Sequence, residues 1–147
     1  MLEFTGQYNI TFDKSGRFKL PPRILADFLA DESSEVVIYC LPEGCLGIYP
    51  VSVWQAMRAD ERSLDGSSML KRREMRRFGA LSTSVLISKQ GRITIPSNFR
   101  EICGLTDTLQ LLIGSEVGME VWNQEKWDAE LAIVNKYNID KGFEELL

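Results

Sequence analysis

One short design is written twice in this chain, and that repetition limits its fold more than any other feature. Asp13-Lys14-Ser15-Gly16-Arg17-Phe18-Lys19-Leu20-Pro21 returns as Ser88-Lys89-Gln90-Gly91-Arg92-Ile93-Thr94-Ile95-Pro96. Lysine, glycine, arginine and proline all keep one offset of 75 residues. Each copy reads as a basic turn between two short strands, closed by a proline that opens a helix. Gly16 and Gly91 can supply the positive φ of a tight turn, and Asp13 can hydrogen-bond its own backbone there. Pro21 and Pro96 stop the strand and pre-set the first helical turn. The repeat runs on: Leu46-Gly47-Ile48-Tyr49 precedes Trp54 as Met119-Glu120-Val121-Trp122 precedes Trp127, now 73 residues apart. Two units are too few for a solenoid. Two half-domains sharing one core about a pseudo-two-fold are expected.

Hydrophobic periodicity fills in the halves. Tyr8, Ile10 and Phe12 alternate on one face of a strand over residues 7–12, and Phe18 and Leu20 point inward between outward Arg17 and Lys19. Val36-Val37-Ile38 reads as a strand buried on both faces. Hairpins are predicted over 35–49 and 109–122, and second-half strands over 82–87 and 92–95. Helices are predicted over 23–29, 50–59, 69–80, 96–103 and 124–137, with Gly104 as a C-cap signal. Residues 60–68 read as a linker and the segment expected to move. The three tryptophans fall at strand and helix spacing, which favours packing over ligand stacking. The fold class is α+β, mainly β.

Charge and missing residue types narrow the chemistry. The 147 residues contain no histidine and three cysteines, Cys40, Cys45 and Cys103. The commonest general base, any Ser-His-Asp triad and the usual partner of cysteine at zinc are therefore absent. No glycine-rich phosphate loop or paired-carboxylate pattern replaces them, so catalysis is the weakest reading. No cofactor, metal or small-molecule substrate is expected. The N-terminal residues lack a basic head and an apolar core, so a cytoplasmic protein without membrane contact is expected. Net charge is −4, but residues 13–23, 71–77 and 88–100 together carry +10 while residues 101–147 carry −7.

The basic residues gather where the repeat places them. Lys14, Arg17, Lys19 and Arg23 lie around the first turn, and Lys89, Arg92 and Arg100 around the second. A two-stranded loop can enter a DNA major groove, where arginine donates two hydrogen bonds to guanine and lysine neutralises phosphate. A protein-interaction surface is the second reading of such basic turns, behind DNA binding and ahead of catalysis. The helix over 71–77 has three readings: phosphate contact, pairing with an acidic neighbour, or a solvated face.

The doubled motif, the leading Phe4-Thr5-Gly6 and the hairpin-plus-tryptophan endings resemble the MraZ family, bacterial regulators built of two AbrB-type (SpoVT-AbrB) domains. The likeness covers residues 1 to about 127. The family pattern is Asp-x-Lys-Gly-Arg. Here the first lysine stands one place early, at Lys14, and Ser88 replaces the acid of the second copy. The resemblance implies a double-split β-barrel of two AbrB-like repeats related by a pseudo-two-fold, with packed helices. It divides the chain into a first repeat over 1–53, linker helices over 54–80, a second repeat over 81–127 and a C-terminal helix and tail over 128–147. It implies a nucleoid-associated regulator that assembles into rings, binds short direct repeats in double-stranded DNA and represses the division and cell-wall gene cluster. An antitoxin-like or scaffold protein that binds a protein partner through its acidic C-terminal region is the rival expectation.

Overall fold

The computed structural model describes residues 3–61 and 68–140, so most of the expected linker and the tail beyond 140 lie outside the described residues. The first half runs β1 (Gln7–Thr11), β2 (Arg17–Lys19), α1 (Pro22–Leu29), β3 (Glu35–Cys40), β4 (Leu46–Pro50) and α2 (Val51–Glu61). After α3 (Met69–Ala80) the second half repeats the order with β5 (Ser82–Leu86), β6 (Arg92–Thr94), α4 (Ser97–Ile102), β7 (Leu109–Gly114), β8 (Met119–Trp122) and α5 (Gln124–Asp140). All the elements expected from the sequence are present, with ends that coincide or shift by up to three residues.

The pairing of these elements is where sequence and structure part. Six strands form one antiparallel sheet in the order β1-β7-β8-β4-β3-β5, and β2 pairs with β6 as a separate ribbon. A ladder between β1 and β2 within one copy is what the repeated turn suggests. Instead each short strand ladders with its counterpart in the other copy. The exchange extends to the large sheet, where β1 lies on β7 and β5 lies on β3. Neither half satisfies its own backbone groups, and each needs the other.

The registers express the pseudo-two-fold. In the ribbon Phe18 faces Ile93, and Arg17 faces Thr94 as Lys19 faces Arg92. In the sheet Gly47 faces Glu120 midway between β4 and β8. An axis through these two pairs exchanges the repeats. At the turns that lead from sheet to ribbon, Asp13 N–H donates to Arg17 O and Ser88 N–H to Arg92 O, both at 2.8 Å. Sheet and ribbon are therefore separate ladders, parted between β1 and β2 and between β5 and β6.

The core fills the space between sheet and ribbon. Phe18, Leu20, Ile93 and Ile95 from the ribbon pack with Ile10, Ile38, Ile48, Leu112 and Val121 from the sheet, and Ile24, Phe28 and Phe99 close its ends. Phe4 of the leading tripeptide plugs one end, its ring 4.8 Å from Phe28. The outer face of the sheet is covered too, which explains why β3 and β4 are buried nearly throughout. Trp54 packs on Tyr39 and Tyr49, and Trp127 meets Trp122 edge-on. Leu29, in the last turn of α1, lies 45% exposed while Ile24 and Phe28 of the same helix are buried.

All three cysteines are buried and unbridged. Burial holds the Cys40 and Cys45 thiols well above the ordinary thiol range and pushes Cys103 up to about 12. These are packing residues rather than nucleophiles. Among the described residues no His/Cys/Asp/Glu group could hold a metal ion, and no helix is long and apolar enough to cross a membrane.

Candidate nucleic-acid interface

The two turns share one backbone design. Gly16 N–H donates to Asp13 O at 3.0 Å, and Gly91 N–H to Ser88 O at 2.9 Å. The glycines adopt φ of +79° and +78°, a region that costs L side chains energy. Each glycine carbonyl then accepts from the other repeat: Leu20 N–H reaches Gly91 O at 3.0 Å, and Ile95 N–H reaches Gly16 O at 2.9 Å. The turns are thus held by the opposite half of the molecule.

Asp13 and Ser88 do the same backbone work with different chemistry. Asp13 Oδ1 accepts from Ser15 N–H at 2.9 Å and from Arg17 N–H at 3.0 Å. Ser88 Oγ accepts from Arg92 N–H at 3.0 Å. Asp13 also pairs through Oδ2 with Arg17 Nε at 2.9 Å. The hydrogen bond from the Arg17 backbone N–H, ahead of the side-chain contacts, holds the Asp13 carboxyl below the usual carboxylate range. Ser88 has no carboxylate, so Arg92 has no ion-pair partner among the described residues. The departure from the acidic pattern in the second copy frees one arginine and leaves the other pre-oriented.

The ribbon brings Arg17, Lys19 and Arg92 to one exposed face, with Phe18 and Ile93 pointing into the core. Lys19 stands directly opposite Arg92. Like charges facing each other across an antiparallel pair are destabilising. An anion lying on this face would relieve that repulsion. Lys14 and Lys89 are exposed on the turns beside it. Thr94, opposite Arg17, shares the face and is absent from the sequence-based set, because the exchange of partners places the counterpart of Lys19 there.

Arg23 and Arg100 are placed differently. Arg23 is exposed on α1, donating to Thr5 Oγ1 and lying 4.0 Å from Asp27 Oδ2. Arg100 is half-buried on α4, behind the first turn. Its Nε donates to Ile95 O at 3.0 Å, and it lines a cleft of about 510 Å3 together with Lys14, Thr106 and Thr108. A Cβ on Gly16 would lie 2.6 Å from Arg100 Nε, so the guanidinium occupies space that only glycine leaves open. Leu25, the counterpart of Arg100 in the first repeat, approaches Gly91 in the same way. The pseudo-two-fold therefore extends to the side chains that wedge the turns.

The family pattern described as "MraZ protein, putative antitoxin-like" matches residues 81–147. The protein named transcriptional regulator MraZ from Marinomonas sp. is 31% identical over 128 residues, which is 86% of this chain and 84% of that protein. The chain belongs to the MraZ family. The transcriptional regulator MraZ of Acetivibrio thermocellus is 32% identical over 126 residues, covering 86% of this chain and 85% of its own. That of Nitrosomonas europaea is 28% identical over 134 residues, covering 91% and 90%. Spans of this length take in both repeats. MraZ relatives are named as transcriptional regulators, so the family is one of regulators and not of enzymes.

Proposed function

We propose that this protein is a sequence-specific DNA-binding transcriptional regulator that reads double-stranded DNA through the β2–β6 ribbon and its two turns. The observation that carries the reading is the facing pair Lys19 and Arg92 on the exposed side of the ribbon, flanked by Arg17. Two strands about 4.8 Å apart fit a major groove about 12 Å wide. Arg17 and Arg92 are placed to read guanine edges, while Lys14, Lys19, Arg23 and Lys89 neutralise phosphate. Arg100 supports the first turn and lines the cleft beside Lys14. On this reading residues 1–53 and 81–127 each contribute one basic turn, and 54–80 join them.

A subunit of net charge −4 gains affinity by acting in number. We infer a ring of copies that places several ribbons on one rim, so that spaced direct repeats are bound with avidity. Binding upstream of the division and cell-wall genes would repress them, and the protein would work in the cytoplasm at the nucleoid. The test is titration against duplexes with spaced direct repeats and scrambled controls at several salt concentrations. Tight, repeat-dependent binding is expected, lost in the Arg17→Ala/Arg92→Ala double variant, where each arginine contributes about 1–3 kcal/mol. Wild-type affinity in that variant would remove the ribbon as the reader. Equal, weak binding to both duplexes would favour a protein partner instead.

A further inference from the structure

Helix α3 has no counterpart in the repeat, and its surface is unfinished. It carries Lys71, Arg72, Arg73, Arg76 and Arg77 against one acid, Glu74, and none of its residues is buried. A helix of this length is marginal in water without tertiary cover. Its last turn is packed against the rest of the fold. Phe78 stacks on Tyr39 at 5.2 Å, the Arg58 guanidinium lies 3.6 Å over the Phe78 ring, and Arg77 donates to Cys40 O at 3.0 Å. Further up, Met69 is 56% and Leu70 69% exposed. Met69, Arg73 and Arg76 follow each other at helical spacing on one side, with Leu70 on its flank. Arg73 and Arg76 are exposed and have no ion pair among the described residues.

Two observations favour a protein over DNA as what meets this face. Phosphate is bound by positive charge and hydrogen-bond donors, and the side chains of exposed Met69 and Leu70 supply neither. Moreover α3 leads into β5 at its Ser82 end, whereas the second basic turn follows the far end, Leu86. Five extended residues separate the two by roughly 17 Å.

The complementary face lies on α5. Glu125 and Asp128 are exposed there without an ion pair among the described residues, while Lys126 is turned inward to donate to Gly44 O at 3.1 Å. Ala129 and Ala132, both exposed, leave room for a close approach, and Ile133 is 62% exposed. One helix thus presents cations edged by Met and Leu, and the other presents two acids beside two exposed alanines, with one exposed cation, Lys136, nearer its C-terminal end.

We propose that the Met69-Leu70-Arg73-Arg76 face of α3 docks on the Glu125-Asp128-Ala129-Ala132 face of α5 in a second copy of this chain. The contact joins unlike surfaces, so each copy gives one face and receives on the other, and rotation about an axis closes such contacts into a ring. The inference rests on the ring reading and names its interface.

The test is the mass of the assembly by size-exclusion chromatography with light scattering, with circular dichroism as the check on folding. R73E/R76E and E125R/D128R are each expected to run as monomers. The chain carrying all four substitutions is expected to recover the wild-type mass, because the charges are then exchanged across the contact. M69Q/L70Q, which leaves charge unchanged, is expected to weaken assembly as well. R73E/R76E at wild-type mass would overturn this contact and leave the ring reading standing. A monomeric wild type would overturn both. Wild-type mass in R73E/R76E with weaker DNA binding and a shallower salt slope would assign α3 to phosphate instead.

Discussion

Gly16→Ala tests the interlocking of the two repeats at a single atom. Gly16 has φ +79°, and an alanine held there costs about 1–2 kcal/mol in backbone strain. Its Cβ would stand 2.6 Å from Arg100 Nε and 2.7 Å from Arg100 Cζ, so the guanidinium must move. Overpacking of this kind costs about 1–3 kcal/mol. Movement also strains the hydrogen bond from Arg100 Nε to Ile95 O, worth on the order of 1 kcal/mol. The single substitution is therefore expected to destabilise the protein by about 2–5 kcal/mol. In an Arg100→Ala background the clash is gone and only the strain of about 1–2 kcal/mol remains. Urea unfolding of the four proteins, with slopes unchanged, gives the coupling directly. Gly91→Ala is the control, since the atom in its way is Leu25 Cδ2 at 2.9 Å, the rotatable end of a side chain. Strictly additive costs for Gly16→Ala and Arg100→Ala would refute the wedge and the reciprocal packing inferred from it.

Other substitutions probe the axis and the outer face of the sheet. Phe18→Ala removes a ring that is 1% exposed, faces Ile93 and meets Phe12 edge-on at 5.3 Å. It is expected to cost about 3–5 kcal/mol in urea unfolding, and a loss under 1 kcal/mol would contradict the central place given to the ribbon core. Burial lifts the Glu120 carboxyl above its ordinary 4.5, against the indole N–H of Trp122 that donates to it at 3.0 Å. A raised carboxyl makes the folded state hold its proton more tightly than the unfolded chain. Stability then falls as pH rises from 4.5 through the folded value. Glu120→Gln is expected to raise the urea midpoint at neutral pH, with the gain vanishing below 4.5, and a gain that grows on acidification would show the sign to be wrong.

Much of this was legible in the sequence because it depends on local chemistry. Gly16 and Gly91 announce turns since few other residues take positive φ, and Pro21 and Pro96 announce helix starts since they cannot continue a strand. The alternation around Phe18 and Ile93 fixes which side chains face out, and so which cations can meet a ligand. The equal spacing of the two motifs fixes that there are two halves. Pairing is a different kind of information. A strand of three residues carries no mark of the partner it will choose, because any extended backbone offers the same donors and acceptors. Only the folded chain placed β2 on β6 rather than on β1, set Lys19 against Arg92, and turned Arg100 from a listless surface cation into the wedge behind Gly16. The sequence determined the parts and their faces through backbone preference and hydrophobic period. The tertiary structure decided which half completes which, because hydrogen bonding and burial across the pseudo-two-fold are satisfied only when the two repeats are exchanged.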